Sequence, residues 1–317
     1  MGKHLKLDHV TCKKSLTLNA GASLQNAGGA DLMPALHALS KSGNYWFVNS
    51  ATGSDSNAGT SWDEPLATIA AAVAKASAGD TILLLGSFTE AVTVAVGLTG
   101  LSIIGAGTTP KQAQWTGAND AVCLTIQAEH VVVANIYFRP PAYAAGTPAA
   151  IALSGAHHCR ILGNQFQGRT ASRDAIYSAA ADSDNVWIVG NEFRYMNTAT
   201  YGCAIRGVEA GGLSYSGWRI KDNLFHSCVT AINICGRVCE ITGNTVLEYG
   251  INPAGAVAAV LALGIDLSGT NSGGNAVWDN QLGGTYNATL YKVGASGDQW
   301  AGNLNVLTGG VTAANPA

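Results

Sequence analysis

Six acids stand near basic residues in the middle of this sequence: Asp174, Asp182, Asp184, Glu192, Glu209 and Asp222, interspersed with Arg173, Arg194, Arg206 and Arg219. Two carboxylates held about 5–10 Å apart can cleave a glycosidic bond, one as acid and one as base or nucleophile. A base beside a metal-polarised carboxylate can instead eliminate across a uronate. Asp174 and Arg206 are the pair that neighbouring repeats would bring together, because each lies beside an Ile-centred strand motif. Asp182-Ser183-Asp184-Asn185 reads either as a calcium chelate or as a polar turn ahead of Val186-Trp187-Ile188, and turn chemistry favours the latter. The supply is thin, with twenty acids in 317 residues. The expectation is therefore that no residue is catalytic, and the function leans away from an enzyme.

Other reactive side chains have plainer readings. His157-His158 opens a strand, where corner histidines are commoner than metal ligands. His226, Cys228, Cys235 and Cys239 suggest zinc by composition, but their spacing matches no finger or ribbon. The seven cysteines, Cys12 among them, are odd in number and irregular in spacing, so they read as buried thiols rather than a disulfide framework. No cofactor and no metal is expected. Trp115, Tyr143, Tyr195, Tyr201, Tyr215 and Trp218 fall in or near loops and read as sugar-stacking or interface aromatics. Trp187 and Trp278 lie inside strand motifs and read as packing residues.

The elements that must position these groups repeat along the chain. RILGNQF (160–166), WIVGNEF (187–193), RIKDNLF (219–225) and EITGNTV (240–246) each place Ile three residues before an Asn and Phe or Val two after it. The Asn residues are Asn164, Asn191, Asn223 and Asn244, with looser copies at Asn135, Asn280 and Asn303; successive spacings are 29, 27, 32, 21, 36 and 23 residues. A second motif interleaves, centred on Ile151, Ile176, Ile205, Ile232 and Ile265. Short β-branched strands, no helix in the unit and loops of variable length point to a solenoid whose coil holds two or three strands. Asn tolerates the left-handed geometry of a sharp corner, and stacked Asn amides can form a ladder between coils.

Upstream, SLTLNAGA (15–22) reads as a short strand and DLMPALHALSK (31–41) as a short helix. The stretch 45–65 reads as a strand and a polar loop. Leu66 to Ala76 has helical spacing, with Leu66, Ile69, Ala70 and Val73 on one face. TILLL (81–85) and AVTVAV (91–96) read as strands. The expected organisation is an N-terminal arm over 1–44, a parallel β-helix over 45–305 and a tail over 306–317.

Taken together, the opening YWFVNSATGSDSNAGTSWDEPLATIAAAVAKASAGDTILLL and the G-N-x-F corners resemble the pectin-lyase-like superfamily of right-handed parallel β-helices. The resemblance implies an all-β, single-stranded solenoid with a short N-terminal capping helix. It is poor evidence for function, since that superfamily holds lyases, hydrolases, epimerases and non-enzymatic viral spikes.

Charged residues make up 12% of the chain and the net charge is −3, so no basic field for nucleic acid is present. No apolar run is long enough to cross a bilayer, and no apolar segment follows the first lysines. A soluble protein made in the cytoplasm is expected. These features, with the resemblance to phage spike and decoration proteins, lead to a virion protein, either a capsid decoration (cement) protein or a short spike. The resemblance implies a homotrimer, with the major capsid protein or tail proteins as neighbours and a host surface glycan as a further partner. The alternatives are a tailspike-type polysaccharide depolymerase and a glycan-binding adhesin. INPAGAVAAVLAL (251–263) reads as a core cap or an oligomer contact.

Overall fold

In the computed structural model the described residues are 43–118, 121–141, 149–169, 172, 174–178, 182–196, 202–208, 215–247, 263–283, 291–293, 297–305 and 312–313. The expected strand at 15–22 and helix at 31–41 lie outside them, as do Arg173, Glu209, Tyr143, Tyr201 and nearly all of 251–263. The chain winds as a single-stranded parallel β-helix with three faces. The first face stacks Tyr45–Asn49, the start of Thr81–Phe88, Ser102–Gly105, Val132–Ala134, Arg160–Leu162, Trp187–Val189, Arg219–Lys221, Glu240–Thr242, Ala276–Trp278 and Gln299–Ala301, each parallel to the next. The second face begins with the end of Thr81–Phe88 and runs through Ala113–Thr116, Tyr137–Arg139, Gln165–Gln167, Glu192–Arg194, Leu224–His226, Thr245–Leu247, Gln281–Leu282 and Leu304–Asn305. The third face runs from Val92–Val94 through Leu124–Ile126, Ala149–Leu153, Asp174–Ser178, Cys203–Gly207, Thr230–Ile234 and Leu263–Asp266 to Tyr291–Lys292. A last described strand, Thr312–Ala313, runs antiparallel to Leu304–Asn305.

The repeated residues stack because each coil places them at one register. Trp115, Phe138, Phe166, Phe193 and Phe225 form one aromatic column inside the second face, with neighbouring ring centroids 5.7, 5.2, 4.8 and 4.9 Å apart. Ile151, Ile176, Ile205, Ile232 and Ile265 pair in register inside the third. Burying each such side chain is worth about 1.5–3 kcal/mol.

The Asn ladder stands at the corner between the first and second faces. Asn164, Asn191, Asn223, Asn244, Asn280 and Asn303 are all buried, and each Nδ2 donates to the Oδ1 of the next at 3.1, 3.1, 3.0, 2.9 and 2.8 Å. The same Oδ1 accepts the main-chain N–H of the Asn one coil earlier, for example Asn164 to Asn191 at 2.9 Å. Two points correct the sequence reading. The left-handed residue is the one before each ladder Asn: Gly163, Gly190, Asp222, Gly243, Asp279 and Gly302, with φ between 54° and 67°. Asn135 itself takes that position (φ 56°) and stands outside the ladder, where Ile136 occupies the equivalent place and donates its N–H to Asn164 Oδ1.

The helix Ile69–Lys75 is shorter than the spacing suggested. Thr68 caps it by accepting the Ala71 N–H, and the Glu90 carboxylate takes the Ile69 and Ala70 N–H groups at 2.8 and 3.0 Å. It buries Ile69 and Ala72 and packs Val73 against the core, with buried Leu66 just ahead of it; of the expected apolar face only Ala70 turns to solvent.

Candidate functional site

Outward-facing polar side chains concentrate on the second face. There the register places Tyr137, Gln165 and Glu192 in one outward row and Gln167, Arg194 and His226 in the row beside it. Strands fix the spacing of these groups at about 4.8 Å per coil. The Tyr137 hydroxyl donates to Gln167 Oε1 at 2.7 Å, and Gln165 Nε2 donates to Glu192 Oε2 at 2.6 Å. Arg194 closes on Glu192 Oε1 through Nε and a terminal nitrogen, and His226 Nε2 lies 3.7 Å from the same oxygen. Lys111, on the single turn Pro110–Gln112, sits 5.9 Å over the Tyr137 ring. Beside this turn is a groove of about 390 Å³, lined by Lys111, Gly163, Asn164, Gln165, Gly190 and Glu192 among others. Its glycine corners are open, since a Cβ at Gly163 or Gly190 would meet nothing within 4 Å.

The electrostatics of the cluster follow from partial burial. Burial pushes the His226 imidazole below its usual pKa; Glu192 opposes this and Arg194 adds to it. A neutral imidazole can accept a proton or hydrogen-bond a hydroxyl. Burial raises the Tyr137 pKa, with Arg139 and Arg194 working the other way.

The structure brings Asp174 and Arg206 together, as their motif positions implied: Arg206 Nε lies 3.2 Å from Asp174 Oδ2. Asp174 Oδ1 also accepts the Cys203 N–H, and Asp174 is wholly buried. Burial opposes the guanidinium charge, yet Cys203, Asp174 and Tyr177 together hold the Arg206 pKa up. This closed ion pair braces the third face and does not offer a free acid to a ligand.

The remaining acids do not converge. Asp184 Oδ1 takes the Ser216 N–H at 2.8 Å, and the Asp184 N–H donates to His157 Nδ1 at 3.1 Å. Ser183 Oγ accepts the Ala156 N–H, and Asn185 is left-handed, so 182–185 is built as a turn. Asp222 holds a ladder corner, and Arg219 lies on the first face. Among the described residues no three His, Cys, Asp or Glu side chains are placed to hold a metal. His158 stacks on His130 (4.9 Å, 8°), and Cys228, Cys235 and Cys239 are separately buried.

The aromatic expectations are largely inverted. Trp115, Tyr215 and Trp218 are buried in the core. Tyr215 donates its hydroxyl to the Ser178 and Val208 carbonyls, and Trp218 Nε1 donates to the Ser183 carbonyl. Trp187 and Trp278 lie on the outer side of the first face, the latter 37% exposed. In a short strand parity decides: Ile188 and Val277 take the inward positions. The second-face cluster was only half legible, through Glu192 and Arg194; Tyr137, Gln165, Gln167 and His226 join it by register alone.

No protein-family model matches the sequence, and no curated protein matches it. Solved structures do. YbhC of Escherichia coli is 10% identical, with 92% of this chain and 90% of that chain covered at a TM-score of 0.55. Pectate lyase Bsp165PelA from Bacillus sp. N165, solved with trigalacturonate, is 12% identical, with 91% and 85% covered at 0.53. The Dettilon tailspike protein aligns more loosely, at 13% identity, 75% and 64% coverage and a TM-score of 0.35. At these identities the likeness speaks for architecture alone. This chain has the fold of the pectin-lyase-like superfamily, a right-handed parallel β-helix with a short N-terminal capping helix.

Proposed function

We propose that the protein is a surface component of a bacteriophage particle, a short spike or capsid decoration subunit, and that its second face binds a host glycan without cutting it. The observation carrying the binding reading is the linked set Tyr137–Gln167 and Gln165–Glu192–Arg194–His226 beside the groove under Lys111. Fixed hydrogen-bonding groups on a rigid sheet are what a polyhydroxylated ligand needs. Hydrolysis would require a second carboxylate. Glu192 is the one acid on the described strands of this face, and Gln165 and Arg194 already engage it. The virion reading is supported by the resemblance noted above and by the buried thiols of Cys123, Cys159, Cys203, Cys228 and Cys239, which suit folding in a reducing compartment.

A second reading, an eliminating depolymerase, has His226 in its favour. Neutral Nε2 would take the C5 proton of a uronate whose carboxylate faces Arg194. The C4–O bond would break to leave a C4=C5 double bond, and the leaving oxygen would be protonated by water.

The test is incubation of the full chain with host capsular polysaccharide, read by co-sedimentation, reducing-end release and unsaturated-uronate absorbance, with mass spectrometry of purified virions. Binding without product, lost in Glu192→Ala, together with presence in virions, supports the main reading. Product formation that vanishes in His226→Ala supports the second. Absence from virions with no glycan bound overturns both. Hundreds of copies per particle would mark decoration, and a handful a spike.

A further inference from the structure

The outer side of the first face carries an arrangement that the second-face groove does not use. Arg160, Trp187, Arg219 and Glu240 occupy one outward column, one residue per coil. The Trp187 ring has a guanidinium on each neighbouring coil: Arg160 Cζ lies 5.1 Å and Arg219 Cζ 4.7 Å from its centroid. The two cations are thus two coils apart, about 10 Å, on a rigid sheet. Arg219 also lies 3.7 Å from Glu240, which takes Lys221 Nζ at 2.9 Å. Arg160 is exposed and has no carboxylate in ion-pair range among the described residues. On the strands Arg160–Leu162, Trp187–Val189, Arg219–Lys221 and Glu240–Thr242 the charged residues are three cations, Arg160, Arg219 and Lys221, and one acid, Glu240.

Stacking leaves the in-plane N–H edge of a guanidinium free, and that edge is the part which grips an anion bidentately. Trp187 holds Arg160 and Arg219 beside its ring before any ligand arrives, which removes part of the entropy cost of binding; Arg219 shares its Nε edge with Glu240, and Arg160 does not. Neither face of the ring is left for a sugar to stack upon, so recognition here is by charge.

We propose that this column is a docking site, separate from the second-face groove, for an anionic polysaccharide lying along the helix axis. Arg160 is its anchor, and Trp187 is a positioning residue that aims Arg160 and Arg219 at successive anionic groups.

The test is affinity electrophoresis of the full chain through gels holding polygalacturonate, dextran sulfate or neutral dextran, repeated in high salt. Retardation by one or both anionic polymers and not by dextran, abolished by salt, is expected. Arg160→Ala should weaken it about tenfold, the loss of one charge-assisted contact. Trp187→Leu keeps every charge and should still weaken it severalfold. Lys75→Ala, on the capping helix, should leave it unchanged. Arg160→Ala is at the surface, and an unchanged thermal melt confirms that it folds. The proposal is overturned if neither anionic polymer retards the protein, if Lys75→Ala costs as much as Arg160→Ala, or if Trp187→Leu has no effect. Loss in Glu192→Gln but not in Arg160→Ala would assign the binding to the second face instead.

Discussion

Asn191 Nδ2 donates to Asn223 Oδ1 at 3.1 Å, and the same oxygen accepts the Asn191 main-chain N–H at 2.9 Å. One side chain thus saturates two donors of the coil before it, at a corner where water does not reach. Asn191→Ala strands the Asn164 main-chain N–H, one of the two Asn164 Nδ2 hydrogens and the Ile161 carbonyl. Each buried orphan costs about 1–3 kcal/mol, so a loss of about 3 kcal/mol is expected in urea unfolding. Asn164→Ala strands the Ile136 N–H and the Val133 carbonyl but no side-chain donor of the coil before it, so it should cost less; equal losses would refute the ladder as the source.

The aromatic column should behave as a chain of contacts. Phe193 stacks on Phe166 at 4.8 Å and on Phe225 at 4.9 Å. Phe193→Ala opens a cavity between two rings and should destabilise by about 3–5 kcal/mol, with Phe193→Leu clearly milder. Thermal melts followed by circular dichroism would rank the two.

The Asp174–Arg206 pair gives a prediction in the form of a cycle. Removing one partner takes the counter-charge from a buried group, so Asp174→Leu should cost about 3–5 kcal/mol. The double change Asp174→Leu with Arg206→Met should recover much of that loss. A double variant as unstable as the two single variants summed would show that the two groups are not coupled.

His226 sets a pH dependence. Its folded pKa lies below the ordinary 6.5, so between the two values the unfolded chain binds more protons than the folded one. Its contribution is therefore intact above about pH 6.5 and falls away as pH drops through the folded pKa. On moving from pH 7.5 to 5.5 the native protein should lose more Tm than His226→Gln does. Identical slopes would remove His226 from the account.

Burial pushes the thiols of Cys123, Cys159, Cys228 and Cys239 up to about 12, and that of Cys203 up as well. At pH 8 they hold almost no thiolate. Peptide mapping after alkylation should find these five unmodified in native protein and modified in guanidinium. Rapid native labelling of Cys228 or Cys239 would contradict the packing.

The sequence disclosed the winding because its signal is periodic: Asn164, Asn191, Asn223 and Asn244 recur with Ile and Phe at fixed offsets, and the stacked coils need those residues. It misled at Asn135, where the same residue type serves the left-handed corner instead of the ladder. It misled again at Trp115 and Trp218, since a loop-like neighbourhood says nothing about whether a ring turns inward. The second-face cluster was harder still. Tyr137 and His226 are 89 residues apart, and only the register of four coils sets them on one strip.

The reversed pairing of Thr312–Ala313 on Leu304–Asn305 has a consequence beyond its size. A stack of parallel coils is a template at its open rim, where another molecule could add in the same direction and grow a fibre. Here that rim on the second face is already taken by a strand running the other way. A newcomer would meet the wrong hydrogen-bond polarity for continuing the winding on this face.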